Sequence, residues 1–287
     1  MAEPGPLDHG VAHHGETPAA EAGRRTTPGA EAASAVWPGL AGRVALVTGG
    51  SRNMGRGFAL GLAGAGADVA ILDLPGQEAD ARAVIADVER LGRRGLFVPA
   101  DIRDAPATER AVAAVERSLG VVRVLVNNAA LVTDDESPTL DYSLAALDGQ
   151  LAVTLRGSFV VAQIVARRMA AAGLGGSIVN VASRVGVQVQ SGGLGYGVAK
   201  AAVIHMTRIM ALDLAPHGIR VNAIGPGSVP RPESGLSGPG VDRYPLGRVL
   251  TYADMVGTVL YLASDASAMV TAQCVVVDGG LGLSPAY

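Results

Sequence analysis

Arg43-Val-Ala-Leu-Val-Thr48, Gly49-Gly-Ser-Arg-Asn-Met-Gly55-Arg-Gly57, Phe58-Ala-Leu-Gly-Leu-Ala63 and Asp68-Val-Ala-Ile-Leu-Asp73 are consecutive stretches of the chain, and their reading decides the fold. The first and last are short apolar runs of the kind that form strands buried on both faces. Between them a glycine-rich turn leads into a helix-like run that ends near Gly64-Ala-Gly66. A strand, a glycine turn, a helix and a second strand make a cradle for a pyrophosphate. Glycine lets the backbone approach closely, and a helix start offers free N–H groups and a favourable dipole. Gly49, Ser51, Arg52, Asn53, Met54 and Gly55 are the candidate cradle. Asp73, followed by Leu74, closes the second strand, where a carboxylate accepts hydrogen bonds from ribose hydroxyls and repels a phosphate in their place.

The pattern continues outward. Residues 77 to 92 read as a helix with Val84, Ile85, Val88 and Leu91 on one face. Gly95-Leu-Phe-Val-Pro-Ala is a third strand ending at Asp101-Ile102. A helix over about 105–119 precedes a fourth strand, Val121 to Val126, which ends in Asn127-Asn128-Ala129-Ala130. A long helix is expected from about 143 to 172, then a strand at Ser177 to Ala182 and a helix from about Tyr196. Further strands follow at Ile219 to Ile224 and Gln273 to Asp278, with a helix from Tyr252 to Ala263 between them. Alternating strands and helices predict an α/β, doubly wound, Rossmann-like parallel sheet of about seven strands. It forms a single domain over 39–287, with a disordered N-terminal tail over 1–38 that is rich in Ala, Gly, Pro, Glu and Thr.

Composition narrows the classes. The 287 residues suit one large α/β domain, and a formal net charge of -3 leaves no basic footprint for nucleic acid. The single cysteine, Cys274, excludes an internal disulfide framework and reads as a core thiol in a reducing, cytoplasmic setting. No apolar signal core follows a basic start, and no uninterrupted apolar run suggests a bilayer span. His9, His13 and His14 lie in the tail without a fixed geometry, so no metal site is expected.

Ser183 to Lys200 carries the chemistry. Tyr196 and Lys200 stand four residues apart at a helix start, on one face, and Lys200 is the only lysine in the chain. A phenol beside an ammonium is an acid/base pair, because the positive charge favours phenolate. Ser183 ends a strand thirteen positions before Tyr196.

Together these motifs resemble the short-chain dehydrogenase/reductase family, over about Gly39 to Leu283. The family turn is Thr-Gly-x-x-x-Gly-x-Gly. Thr48, Gly49 and Gly55 match it, while Asn53 stands at the middle glycine; Gly57 offers a second register. Asn tolerates left-handed backbone. The resemblance implies that Asp101 and Ile102 bracket an adenine, and that Asn128, Ala129 and Ala130 line the cofactor. It implies that Pro226, Gly227 and Val229 cover a nicotinamide. Ser183 would bind the substrate oxygen, Tyr196 would serve as acid/base, and Lys200 would lower the Tyr196 pKa and bind the nicotinamide ribose. Thr154, before Leu155-Arg156-Gly157, replaces a family Asn that holds a relay water. Arg231 replaces a Thr, and residues 231–245 read as a lid over a pocket including Arg184, Val185 and Gln190.

The expected function is hydride transfer between NAD(H) and a small-molecule secondary alcohol or ketone. Asp73 favours NAD; Arg52, able to pair with a 2′-phosphate, keeps NADP and a 3-oxoacyl ketoreductase open. A non-catalytic nucleotide-binding regulatory protein is the third reading, kept by the departures at Asn53, Ala130, Thr154 and Arg231. The resemblance also implies a homo-oligomer, tetramer or dimer, seamed by residues 143–172 and 196–214.

Overall fold

The structure is a computed structural model that describes residues 37–132, 137–230 and 238–283. Strands β1 (Val44–Thr48), β2 (Asp68–Asp73), β3 (Gly95–Pro99), β4 (Val122–Asn127), β5 (Gly176–Val181), β6 (Ile219–Pro226) and β7 (Cys274–Val277) form one sheet. Its order is β3-β2-β1-β4-β5-β6-β7, with every pair parallel. Helices α1 (Asn53–Gly64), α2 (Glu78–Arg90), α3 (Ala105–Leu119), α4 (Leu144–Gln150), α5 (Ser158–Ala172), α6 (Leu194–Leu214) and α7 (Ala253–Ala263) are its main helices. β1 is buried at every position, as a strand covered by helices on both faces must be. One core joins Phe58 and Leu62 of α1 to Val259 and Leu262 of α7; the other joins Val161 and Val165 of α5 to Leu125 and Ile178. The order reverses between β1 and β4, and such a switch point opens a crevice at the carboxyl ends of the strands.

Three expectations need correction. Helix α1 starts at Asn53, inside the glycine turn, and not at Phe58. The expected helix over 143–172 is interrupted, because Leu151–Gly157 winds as a π-helix between α4 and α5. By length and composition that helical run could cross a bilayer, although Asp148, Arg156, Arg167 and Arg168 interrupt its apolar residues. However, 56 % of its most apolar window is buried inside the fold, where Val161, Val165 and Met169 pack with the core. Finally, Trp37 packs against the core and Pro38 accepts the Asp265 N–H at 2.9 Å. The packed chain therefore includes two residues assigned to the tail. The tail histidines and Arg231 lie outside the described residues.

Candidate active site

The carboxyl ends of the strands surround a cleft of about 1140 Å³. At its floor the glycine turn is fixed to β4. The Asn128 side chain donates to the carbonyls of Thr48 (3.1 Å) and Gly49 (3.0 Å), while the Asn128 and Ala129 N–H groups both donate to Thr48 Oγ1 at 3.0 Å. Gly55 allows no side chain: a Cβ there would lie 2.0 Å from the Gly49 carbonyl oxygen and 2.7 Å from Asn128 Nδ2. Asn53 takes φ 51°, the left-handed conformation expected of a residue in place of glycine, and its side chain is exposed toward the cleft rather than packed. Gly57 packs toward Val256 of α7 and does not line the cleft, which assigns the turn register to Gly55.

Asp73 lies on the cleft wall at the end of β2. One oxygen accepts the Ser51 N–H at 3.3 Å and the other the Leu74 N–H at 2.9 Å; no ion pair reaches it among the described residues. Arg52 also lines the cleft, exposed, with its Nε 3.9 Å from Asp80 Oδ2. Asp101 is different: Arg103 donates to its carboxylate from Nε and Nη2 and holds it below the usual carboxylate pKa. Ile102 is buried beside it.

On the opposite wall the backbone of Ser183 starts a short turn, Arg184–Gly186, which presses on α6. A Cβ at Gly186 would stand 2.8 Å from the Lys200 backbone, so only glycine permits this approach. Ser183 is nearly buried and its Oγ accepts the Val185 N–H at 3.4 Å. Lys200 is buried, donates to the Val181 carbonyl at 2.6 Å and stands 5.5 Å from the Tyr196 ring centroid. No carboxylate neutralises it among the described residues, and burial pushes its pKa down from 10.5 to about 7. An ammonium this strongly desolvated gains most from a negative charge formed next to it.

Gly49, Arg52, Asn53, Met54, Gly55, Asp73, Leu74, Asp101, Ile102, Asn128, Ala129, Ala130, Ser183, Tyr196, Lys200, Pro226, Gly227 and Val229 all line this one cleft. Ser51 and Thr154 do not. Ser51 is buried beneath the turn and serves Asp73 through its backbone. Thr154, in the π-helical segment, is buried and its Oγ1 accepts the Leu131 N–H at 3.3 Å. Arg103, Gln188 and Tyr252 also line the cleft, although the sequence reading did not single them out. Arg103 was legible as the basic residue two positions past Asp101; Gln188 and Tyr252 carry no local signal. Of the expected lid, residues 238–245 are described. Tyr244 is buried there and its hydroxyl donates to the Ser228 carbonyl at 2.7 Å, which anchors that part of the segment.

The cleft fits a dinucleotide on its own geometry: a cradle that any added Cβ would fill at Gly55, a carboxylate free of arginine at Asp73, and a buried cation at Lys200. Comparison with known proteins agrees. A family model described as enoyl-(acyl carrier protein) reductase matches residues 49–282. The chain is 38 % identical over 249 residues to the L-xylulose reductase of Mus musculus, covering 84 % of this chain and 97 % of that protein. Among solved structures, a short-chain type dehydrogenase/reductase from Mycobacterium marinum superposes with TM-score 0.77 at 34 % identity, over 84 % of this chain and 96 % of that one. An NAD+-bound xylitol dehydrogenase superposes with TM-score 0.78 at 30 % identity, over 84 % of this chain and all of the other. The fold and cleft are those of a nicotinamide-dependent oxidoreductase acting on alcohols or ketones. The chain belongs to the short-chain dehydrogenase/reductase family.

Proposed function

We propose that this enzyme interconverts a secondary alcohol and a ketone with NAD(H), using Tyr196 as acid/base, Ser183 as ligand of the substrate oxygen and Lys200 as the cation beside Tyr196. The observation that carries this reading is a single cleft lined by Asp73 on one wall and by Ser183, Tyr196 and Lys200 on the other. A bound nicotinamide dinucleotide supplies the hydride acceptor. The protein supplies the rest of the balance. In oxidation Tyr196 takes the hydroxyl proton as the carbinol carbon loses hydride; in reduction it returns that proton to the alkoxide oxygen. Ser183 holds the same oxygen by a hydrogen bond, so that proton transfer and charge stabilisation fall on one atom. The Lys200 ammonium stabilises a phenolate at Tyr196, and its desolvated position strengthens that effect.

Asp73 supports NAD over NADP. Its carboxylate has only backbone N–H partners, and Arg52 stands toward Asp80 instead. The substrate reading draws on the relatives, whose names describe reduction of L-xylulose and dehydrogenation of xylitol. Small polyhydroxylated alcohols and ketoses are the proposed class. The test is turnover of a polyol and ketose panel with both cofactors, in the native protein and in Tyr196→Phe. Removal of the transferable proton is expected to lower kcat by ~10²–10⁴-fold with dinucleotide binding retained. Near-normal turnover by Tyr196→Phe would sink the mechanism.

A further inference from the structure

Arg184 follows Ser183 directly and is 6 % exposed, yet it lines the cleft. Its guanidinium is held by neutral partners: Nη1 donates to Gln188 Oε1 and Nη2 to Gln190 Oε1, each at 3.0 Å. Gln188 is itself fixed, its Nε2 donating to the Gly282 carbonyl at 2.7 Å. No carboxylate lies within ion-pair distance of Arg184 among the described residues. Asp278 and Arg184 both act on the Tyr244 hydroxyl, but the Asp278 oxygens are taken by the N–H groups of Gly280 and Gly282, each at 2.9 Å. Arg184 also borders a second, smaller cavity together with Arg243, Gln190, Ser191 and Ser228. Arg184, an amide and two hydroxyls therefore meet where the cleft runs past Ser183, and no carboxylate pairs with Arg184 among the described residues.

A buried cation is costly unless it is paired, and neutral amides only partly replace its hydration. The buried carboxylate of Asp68 is matched by Arg93 and Arg94; the part-buried Arg220, away from the cleft, donates instead to the Ser264 and Val270 carbonyls and to Ser267 Oγ. A guanidinium held in place by neutral side chains beside the residue that meets the substrate oxygen is arranged to receive an anion from outside. Its planar fork matches a carboxylate. We propose that the substrate is a hydroxy or keto acid whose carboxylate binds Arg184. Arg184 is thus a specificity-determining residue. This rests on the oxidoreductase reading above and departs from its neutral polyol and ketose class by adding a carboxylate.

The test uses pairs of compounds that differ only in the anion: gluconate against sorbitol, and 3-hydroxybutyrate against butane-1,3-diol. Each is measured by kcat/KM with NAD+ and by calorimetric binding to the NAD+-saturated protein. In the native enzyme the acid of at least one pair should bind and react at least tenfold better than its neutral partner. Arg184→Met should erase that preference, with the acid losing at least tenfold in kcat/KM relative to its neutral partner. Arg184→Lys should restore part of it, which a purely structural role for the side chain would not predict. If Arg184→Met fails to fold, the native preference and the Arg184→Lys comparison still decide. Equal use of both members of each pair, no binding of either acid, or a preference unmoved by Arg184→Met overturns the proposal. Turnover of the neutral alcohols alone would leave the oxidoreductase reading standing without it. Arg184-dependent binding of an acid with no turnover of any compound would uphold the anion site and count against the redox reading.

Discussion

Strand β2 begins and ends with an aspartate, and the two ends are built on opposite plans. Asp68, at the amino end, is buried and receives Arg93 Nη2 at 2.6 Å, Arg94 Nε at 2.8 Å and the Arg94 N–H at 3.1 Å. Burial alone would raise its pKa, but those partners hold it below the usual carboxylate value. Asp73, at the carboxyl end, has two backbone N–H partners and no cation among the described residues. The same contrast runs across the sheet. Near its amino edge Arg43 pairs with Asp265 at 2.8 Å. Near its carboxyl edge Lys200 and Arg184 are buried and, among the described residues, hydrogen-bond neutral groups only. Asp101 with Arg103, and Arg52 at 3.9 Å from Asp80, are exceptions. A charge that the protein satisfies itself serves the fold. A charge held in place but left without its opposite is available to a ligand.

The largest effect should appear at Asp73. A carboxylate and a 2′-phosphate about 4 Å apart at an effective dielectric of ~20 repel by roughly 4 kcal/mol before relaxation and screening. Native kcat/KM should therefore favour NADH, and Asp73→Ala should narrow or reverse the ratio by about tenfold or more. Adding Arg52→Ala should then cost NADPH more than NADH. The measurement is the cofactor ratio in the three proteins. A native preference for NADPH, or a ratio indifferent to Asp73→Ala, would break the contrast at its functional end.

Lys200 and Asp68 sharpen the contrast because their removal should shift stability in opposite directions. Burial lowers the Lys200 pKa from 10.5 to about 7. The folded state therefore resists protonating it, and the cost is fully present below about pH 7. It shrinks as pH rises from about 7 to about 10.5, because the unfolded chain binds the extra proton across that window. Lys200→Met should be more stable than the native protein at pH 7 by about 2 kcal/mol, after loss of the bond to Val181 is counted. The difference should fade toward pH 10, as read by chemical denaturation. A variant less stable at every pH would show that the ammonium is satisfied by the protein.

Asp68→Asn should instead destabilise, by about 1–2 kcal/mol at pH 7, since Arg94 is more than half exposed and solvent softens the loss. Its folded pKa is lowered, so the native contribution is complete above the ordinary carboxylate value near 3.8. It disappears as pH falls through the lower folded value. The native and Asp68→Asn curves should therefore converge in acid while the cofactor ratio stays unchanged. A changed ratio would mean that the amino end of β2 communicates with the cleft.

These differences mark how far the sequence could be read. Buried apolar runs and the glycine turn placed all seven strands to within one or two residues, because a strand covered on both faces leaves few alternatives in composition. Asn53 was legible as a left-handed residue, since the Asn side chain is compatible with the conformation that the structure adopts at φ 51°. Asp68 and Asp73 look alike in sequence; only tertiary pairing separates them, because the arginines of Asp68 arrive from residues 93 and 94. The π-helical turn at Leu151–Gly157 was not legible either. Its apolar spacing differs from that of an α-helix by one residue per turn, which a run this rich in small and aliphatic residues does not display.

Thr154 in that turn yields the smallest effect and tests where the functional region stops. Its position by resemblance belongs to a water-holding relay, but the hydroxyl is buried behind the cleft and accepts the Leu131 N–H at 3.3 Å. A buried N–H left without its acceptor costs ~1–3 kcal/mol. Thr154→Val keeps the shape and removes the acceptor, so it should lower stability by about 1 kcal/mol. Because Thr154 does not line the cleft, kcat should fall by less than about threefold (~0.7 kcal/mol at RT ln 3). Thr154→Ser, which restores the oxygen, should recover most of the stability. The two readouts separate the roles: a fall in kcat of a hundredfold with an unchanged midpoint would put the hydroxyl back into proton transfer. A shift in the midpoint with nearly native kcat would place it with Asp68, among the polar groups that the protein has already satisfied.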